Sequence, residues 1–238
     1  MSLLSRETLR IALCPDRAIV ACFSRGKLVS KNAHAAEGNA VELLSAILPE
    51  SRGKDATLVL SSHFVKFMII PWQEALSEQE LQAMVAHRFS EIHGEGEREI
   101  RISEGKIGAP FVASAIDRGF LEGIRQAFSS SGVRLRSVQP YLMAAFNDSR
   151  KEMKEASSWF VLMEKGISCI ARIREGTWER LRQCRGEIDE AWLMLEREAV
   201  LAEDAGRNVY LYAPEHPGIH PEGKWSVHFL GMEDKAGA

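Results

Sequence analysis

The order of elements around residues 157–185, SSWFVLMEKGISCIARIREGTWERLRQCR, limits what this chain can fold into more than any other stretch does. Trp159 to Met163 is apolar and strand-forming, and Glu164-Lys165-Gly166 reads as a tight turn. Ile167 to Ile173 resumes the alternation before Glu175-Gly176 turns the chain into a third strand. A helix over Ile188 to Glu203 and a strand over Val209 to Tyr212 follow, so the order is β-β-β-α-β. Residues 9 to 61 show that order too: Leu9 to Cys14, a turn at Pro15-Asp16, Ala18 to Phe23, a turn at Arg25-Gly26, and Lys27 to Ser30. A helix over Val41 to Leu48 and a strand over Ala56 to Leu60 complete it. One α/β unit is predicted twice.

Asn39 and Glu42 form a capping box for the first of these helices, whose stripe is Val41, Leu44, Ile47 and Leu48, and Pro49 ends it. After Ser61-Ser62-His63 the pattern changes to strand Phe64 to Ile70, helix, strand Glu99 to Ile102, strand Phe111 to Ile116, helix. The first of these helices lies between a Ser77/Glu80 capping box and Gly94, with Leu81, Met84, Val85, Arg88, Phe89 and Ile92 on one face. Ser103-Glu104-Gly105-Lys106 is a turn. Asp117 caps the next helix, which carries Phe120, Leu121, Ile124 and Phe128 and stops at Gly132. Strand Val133 to Val138 and a helix from Tyr141 to Lys154, opened by Pro140, lead into the second meander. APEHPGIHPEG (213–223) is a loop, Ser226 to Leu230 a last edge strand, and 233–238 a frayed end.

The repeated unit resembles the plan of the RNase H-like, actin-like ATPases. FVKFMIIPWQEALSEQELQAMVAHRF (64–89) and LRSVQPYLMAAFN (135–147) are similar to the PilM-like family and the cytoplasmic part of GspL, actin-like proteins of type IV pilus and type II secretion assembly. The similarity covers most of residues 8 to 213. It implies a first actin-like subdomain from residues 1–62 and 133–155, an inserted strand-helix-strand-strand subdomain at 63–132, and a second, truncated actin-like subdomain at 156–238. It further implies a non-catalytic scaffold, cytoplasmic and peripheral at the inner membrane. The partner would be the cytoplasmic tail of an inner-membrane pilus or secretion protein, or the assembly ATPase.

An actin-like nucleotide site needs two strand-turn-strand loops whose glycines let amides approach phosphate, with acids nearby to organise magnesium. The first loop corresponds to Ala12-Leu13-Cys14-Pro15, where acid and glycine are both absent and Pro15 removes a donor. The second keeps acid-x-glycine as Glu164-Lys165-Gly166. A Gly-Gly turn would fall at Tyr212 to Pro217 and is not there. The expectation is a degenerate site with a remnant at Glu164 and Gly166, no catalytic residue, no cofactor and no metal. A nucleotide-binding switch is the alternative. An RNase H-like enzyme would need clustered carboxylates at strand ends, and Leu9 to Cys14 carries none.

With 45% apolar and 26% charged residues in 238, the chain can bury an ordinary globular core. A net charge of -3 and a pI near 6.2 argue against a general nucleic-acid binder, which needs a basic field. No apolar run approaches the roughly 18 residues of a membrane span, and the first residues lack a signal-peptide core, so a cytoplasmic protein is expected. Cys14, Cys22, Cys169 and Cys184 fall in predicted strands without CxxC spacing and read as buried reduced thiols. His216 and His220 are separated by Pro217 and Gly218, and His87 and His93 do not share a helix face, so neither pair reads as a metal site. Phosphate-binding loop, dinucleotide and nucleophile-elbow motifs are absent.

Charge is uneven. Residues 77–104 hold seven acids and three bases, whereas 150–185 hold nine bases and five acids. Two solvated faces would account for this. The functional reading places Arg172, Arg174, Arg180 and Arg182, around Trp178, against an acidic partner or the anionic inner leaflet. Phe67, Trp72, Arg88 and Phe89 read first as core of the insert. By the resemblance they are also partner contacts where the insert meets the first meander, Trp72 foremost.

Overall fold

The computed structural model describes residues 7–74, 76–103, 106–203, 207–214 and 225–231. The sequence expectations at residues 1–6, Glu104-Gly105, His216, His220, the rest of the 215–223 loop and 233–238 lie outside them. The chain divides into two compact units, the first comprising residues 1–65, 97–99 and 116–144, the second residues 66–96, 100–115 and 145–238.

In the first unit, β1 (Thr8–Leu13), β2 (Arg17–Ser24) and β3 (Lys27–Ala35) form an antiparallel meander. α1 (Ala40–Ile47) then crosses over to β4 (Asp55–Leu60), which lies parallel to β1. β8 (Arg134–Pro140) adds a fifth strand, parallel to β4, and the sheet order is β3-β2-β1-β4-β8. Ile11, Leu13, Leu44, Leu58 and Leu60 are fully buried. Asn39 accepts from the amides of Val41 and Glu42 and closes the expected capping box. α3 (Arg118–Ser131), capped by Asp117, ends at Gly132, whose φ of 74° is the left-handed conformation glycine adopts without strain.

The second unit repeats the meander. β9 (Ser157–Glu164), β10 (Ile167–Arg174) and β11 (Thr177–Arg185) are antiparallel, α5 (Ile188–Leu201) crosses over, and β12 (Asn208–Tyr212) lies parallel to β9. β13 (Ser226–Phe229) pairs in parallel with β12, giving the order β11-β10-β9-β12-β13. Third, second, first, fourth: both copies share one topology. The core on the α5 side holds Trp159, Val161, Ile170, Leu195, Val209 and Leu211. β9 and β10 are covered on both faces, hence their nearly continuous apolar runs.

The inserted piece is a small sheet of order β5-β7-β6, made of β5 (Val65–Ile70), β6 (Arg98–Ile102) and β7 (Phe111–Asp117), with α2 (Glu78–His93) between β5 and β6 in sequence. Ser77 and Glu80 cap α2, as the sequence indicates. Ile70, Val85, Phe89, Ala113 and Ala115 make its core.

Several boundaries differ from expectation. β3 runs to Ala35 rather than Ser30, because its polar residues 30–35 pair with β2 while remaining largely exposed. α4 (Tyr141–Ser149) stops short of Lys154: its apolar residues end at Phe146, and the amide of Glu152 turns back to the Ser149 carbonyl at 2.9 Å. All four thiols are free, but only Cys22 and Cys169 are buried, and Cys14 lies just beyond β1.

Candidate docking groove

β5 and β11 are each the outer strand of their sheet, so each has one side without a ladder partner. Within the second unit they border a groove of about 810 Å³. One wall is Phe67, Met68 and Ile69 of β5, another is residues 179–183 of β11, and α2 overhangs it with Arg88, Glu91, Ile92 and His93. The Phe67 amide donates to Oε1 of Gln183 across it, at 3.3 Å. A side-chain carboxamide thus occupies the place a neighbouring strand's carbonyl would take.

The groove's charges are unequally committed. Arg180 and Arg182 reach across α5 to Glu198, at 3.3 and 3.2 Å, and Arg180 also donates to the Leu201 carbonyl at 2.8 Å. Glu179 pairs with Arg174 at 3.3 Å, and Glu91 lies 3.6 Å from His87, a contact that is ionic only with the imidazole protonated. Arg88 is half-buried and makes no hydrogen bond or ion pair among the described residues. A guanidinium held beside Met68 and Ile92 without a counter-ion is a place for a carboxylate, since weak solvation strengthens such a pair.

Of the eight residues singled out from the sequence, the groove collects Phe67, Arg88, Arg180 and Arg182. Phe89 is fully buried in the insert core, and Trp72 stacks obliquely on Phe111 with ring centroids 5.3 Å apart. Arg172 does not face outward as expected. It is 2% exposed, lies over the Trp159 ring at 5.4 Å and donates to Ser157 Oγ at 2.5 Å, because β10 is covered on both faces. Arg174 remains at the surface. Ile92 departs from its expected core position, being 64% exposed. Only Val85 and Phe89 of the predicted stripe are fully buried, while Leu81 and Met84 pack at the edge of that core. Gln183 and Glu198 were not singled out; an acid on the inward stripe of Ala191, Leu195 and Ala199 was the available signal for Glu198.

The hairpins compared with a phosphate cradle are closed by their own bonds. The Cys14 amide donates to the Arg17 carbonyl at 2.8 Å, Pro15 has no amide hydrogen, and the Asp16 carboxylate lies 3.3 Å from Arg17. In the second hairpin Glu164 ends β9 opposite Ile167 and is 6% exposed, while Gly166, at φ 73°, accepts from the Gly186 amide at 3.1 Å. Among the described residues no three His, Cys, Asp or Glu side chains gather into a metal-binding group. No helix among them is long and apolar enough to cross a membrane.

No protein-family model matches the chain, and no curated protein matches it in sequence. Its fold does have solved counterparts. The cytoplasmic domain of EpsL, an inner-membrane component of the type II secretion system of Vibrio cholerae, superposes with a TM-score of 0.64 at 12% identity, over 94% of this chain and 90% of that one. A PilM-PilN type IV pilus biogenesis complex gives a TM-score of 0.64 at 10% identity, over 90% and 82%. A Bacteroides thetaiotaomicron protein of unknown function with an actin-like ATPase fold gives 0.63 at 13%, over 90% and 84%.

Proposed function

We infer the role of this chain from its actin-like ATPase fold and from the groove between β5 and β11. We propose that the chain is a non-catalytic scaffold of a pilus or secretion platform at the inner membrane, docking a polypeptide segment of a partner in that groove. The partner would be the cytoplasmic tail of a membrane protein of that platform, or its assembly ATPase. The observation that carries this reading is the convergence of Phe67, Arg88, Arg180 and Arg182, from two sheet edges and a helix, on one groove. The likeness to EpsL and PilM supports the setting. The hairpins support the absence of catalysis: one lacks glycine and holds its acid, Asp16, against Arg17, and the other buries its acid.

The test is an array of synthetic peptides covering the cytoplasmic tails of the platform's inner-membrane proteins, probed with the intact chain. One or more tails should bind at micromolar strength, and an Arg182→Gln variant, which leaves Arg180 paired with Glu198, should weaken them. Binding of no tail and no assembly ATPase would reject the proposal. Turnover of ATP that depends on Glu164 would favour the switch reading.

A further inference from the structure

Resting on that docking role, we infer that the groove's occupant is an extended segment that adds to the open edge of β5 and carries an acidic residue two positions from an apolar one. In a strand the N–H and C=O of one residue lie on the same side, and every second residue shares that side. Phe67 turns its amide toward Gln183, so Ile69 turns its amide and carbonyl the same way, into the groove. An incoming backbone can take over the Phe67 amide from the Gln183 carboxamide and continue the ladder at Ile69. This is strand addition to a sheet edge.

Side-chain preference follows from α2. Arg88 and Ile92 are one helical turn apart, about 6 Å along the axis at 1.5 Å per residue. Residues two apart in a strand are about 6.6 Å apart and share a face. The two spacings match, so one side chain of a strand in the groove can meet Arg88 and the next on that face Ile92. Arg88 makes no ion pair among the described residues, and Glu179 is already paired with Arg174, so the first should be aspartate or glutamate. Ile92, 64% exposed, calls for an aliphatic partner. Arg180 and Arg182, half-occupied by Glu198, keep the opposite wall positive.

A random display library of uncharged-backbone, blocked nine-residue peptides, selected on the intact protein, tests this. Selected peptides should share an Asp or Glu two positions from Val, Ile or Leu. Arg88→Glu should weaken them by about ten-fold or more, and replacing the peptide's acid by lysine should restore binding to that variant. Ile92→Asp, at an exposed position, should weaken them as well without altering the fold. On binding, the Ile69 amide should exchange more slowly with solvent. Selected peptides without the acid, indifferent to Arg88→Glu, or leaving Ile69 exchange unchanged would overturn the inference while the docking role stands. If no peptide is selected, the inference falls, and if the tail array is also blank, the docking role falls with it.

Discussion

Glu198 sits on the inward face of α5 at 3% exposure, and its two cationic partners, Arg180 and Arg182, lie mostly within reach of water. That imbalance predicts unequal costs. Glu198→Gln leaves two arginines that can rehydrate and should cost about 1 kcal/mol, whereas Arg180→Ala with Arg182→Ala strands a buried carboxylate and should cost about 3 kcal/mol. Urea unfolding of the two variants measures the difference. Lys66 gives a pH signature. Burial, helped by the positive charge of Arg185, lowers its pKa from the ordinary lysine value. Such a group destabilises the fold while it must stay charged, and the penalty fades as pH rises through the folded pKa toward the unfolded value. Lys66→Gln should therefore melt higher than the wild type at pH 7, and the advantage should shrink as pH approaches about 10. Neither effect could be read from residue spacing, since both depend on which neighbours remove water.

At the scale of elements, the two copies agree down to their turns. Arg25-Gly26 and Glu175-Gly176 both have positive φ at each position, 53° and 76° in one and 50° and 75° in the other. These are the mirror-image turns whose twist suits a two-residue hairpin. A register shift follows the sixth residue of both β2 and β10, at Cys22/Phe23 and Arg172/Ile173. The turns were legible because glycine marks them, but the bulges were not, since any residue pair can host one. Helix pairing yields a further prediction. A Cβ on Gly123 of α3 would lie 3.3 Å from Val41 Cγ1 of α1. Ala at 123 gains about 1 kcal/mol of helix propensity and gives most of it back to this contact, so Gly123→Ala should be near neutral. Gly123→Leu should cost about 2 kcal/mol by forcing the helices apart, as a denaturation midpoint will show.

For the whole molecule, the test of a lost nucleotide site is calorimetric. A binder at 100 times its dissociation constant gains about 2.7 kcal/mol. We expect magnesium-ATP at millimolar concentration to leave the melting temperature unchanged, and a rise of several degrees would restore the switch reading. By itself the sequence determined the duplicated β-β-β-α-β order, the caps at Asn39, Ser77 and Asp117, and the inserted piece, because alternation, helical spacing and capping chemistry act within a few residues. Only the tertiary structure decided that Arg172 goes inside while Arg88 and Ile92 stay at a groove, and that β5 and β11 end as open edges. A side chain's charge or size states a preference, but which edge lacks a neighbour and which cation lacks a counter-ion are properties of segments about a hundred residues apart meeting in space.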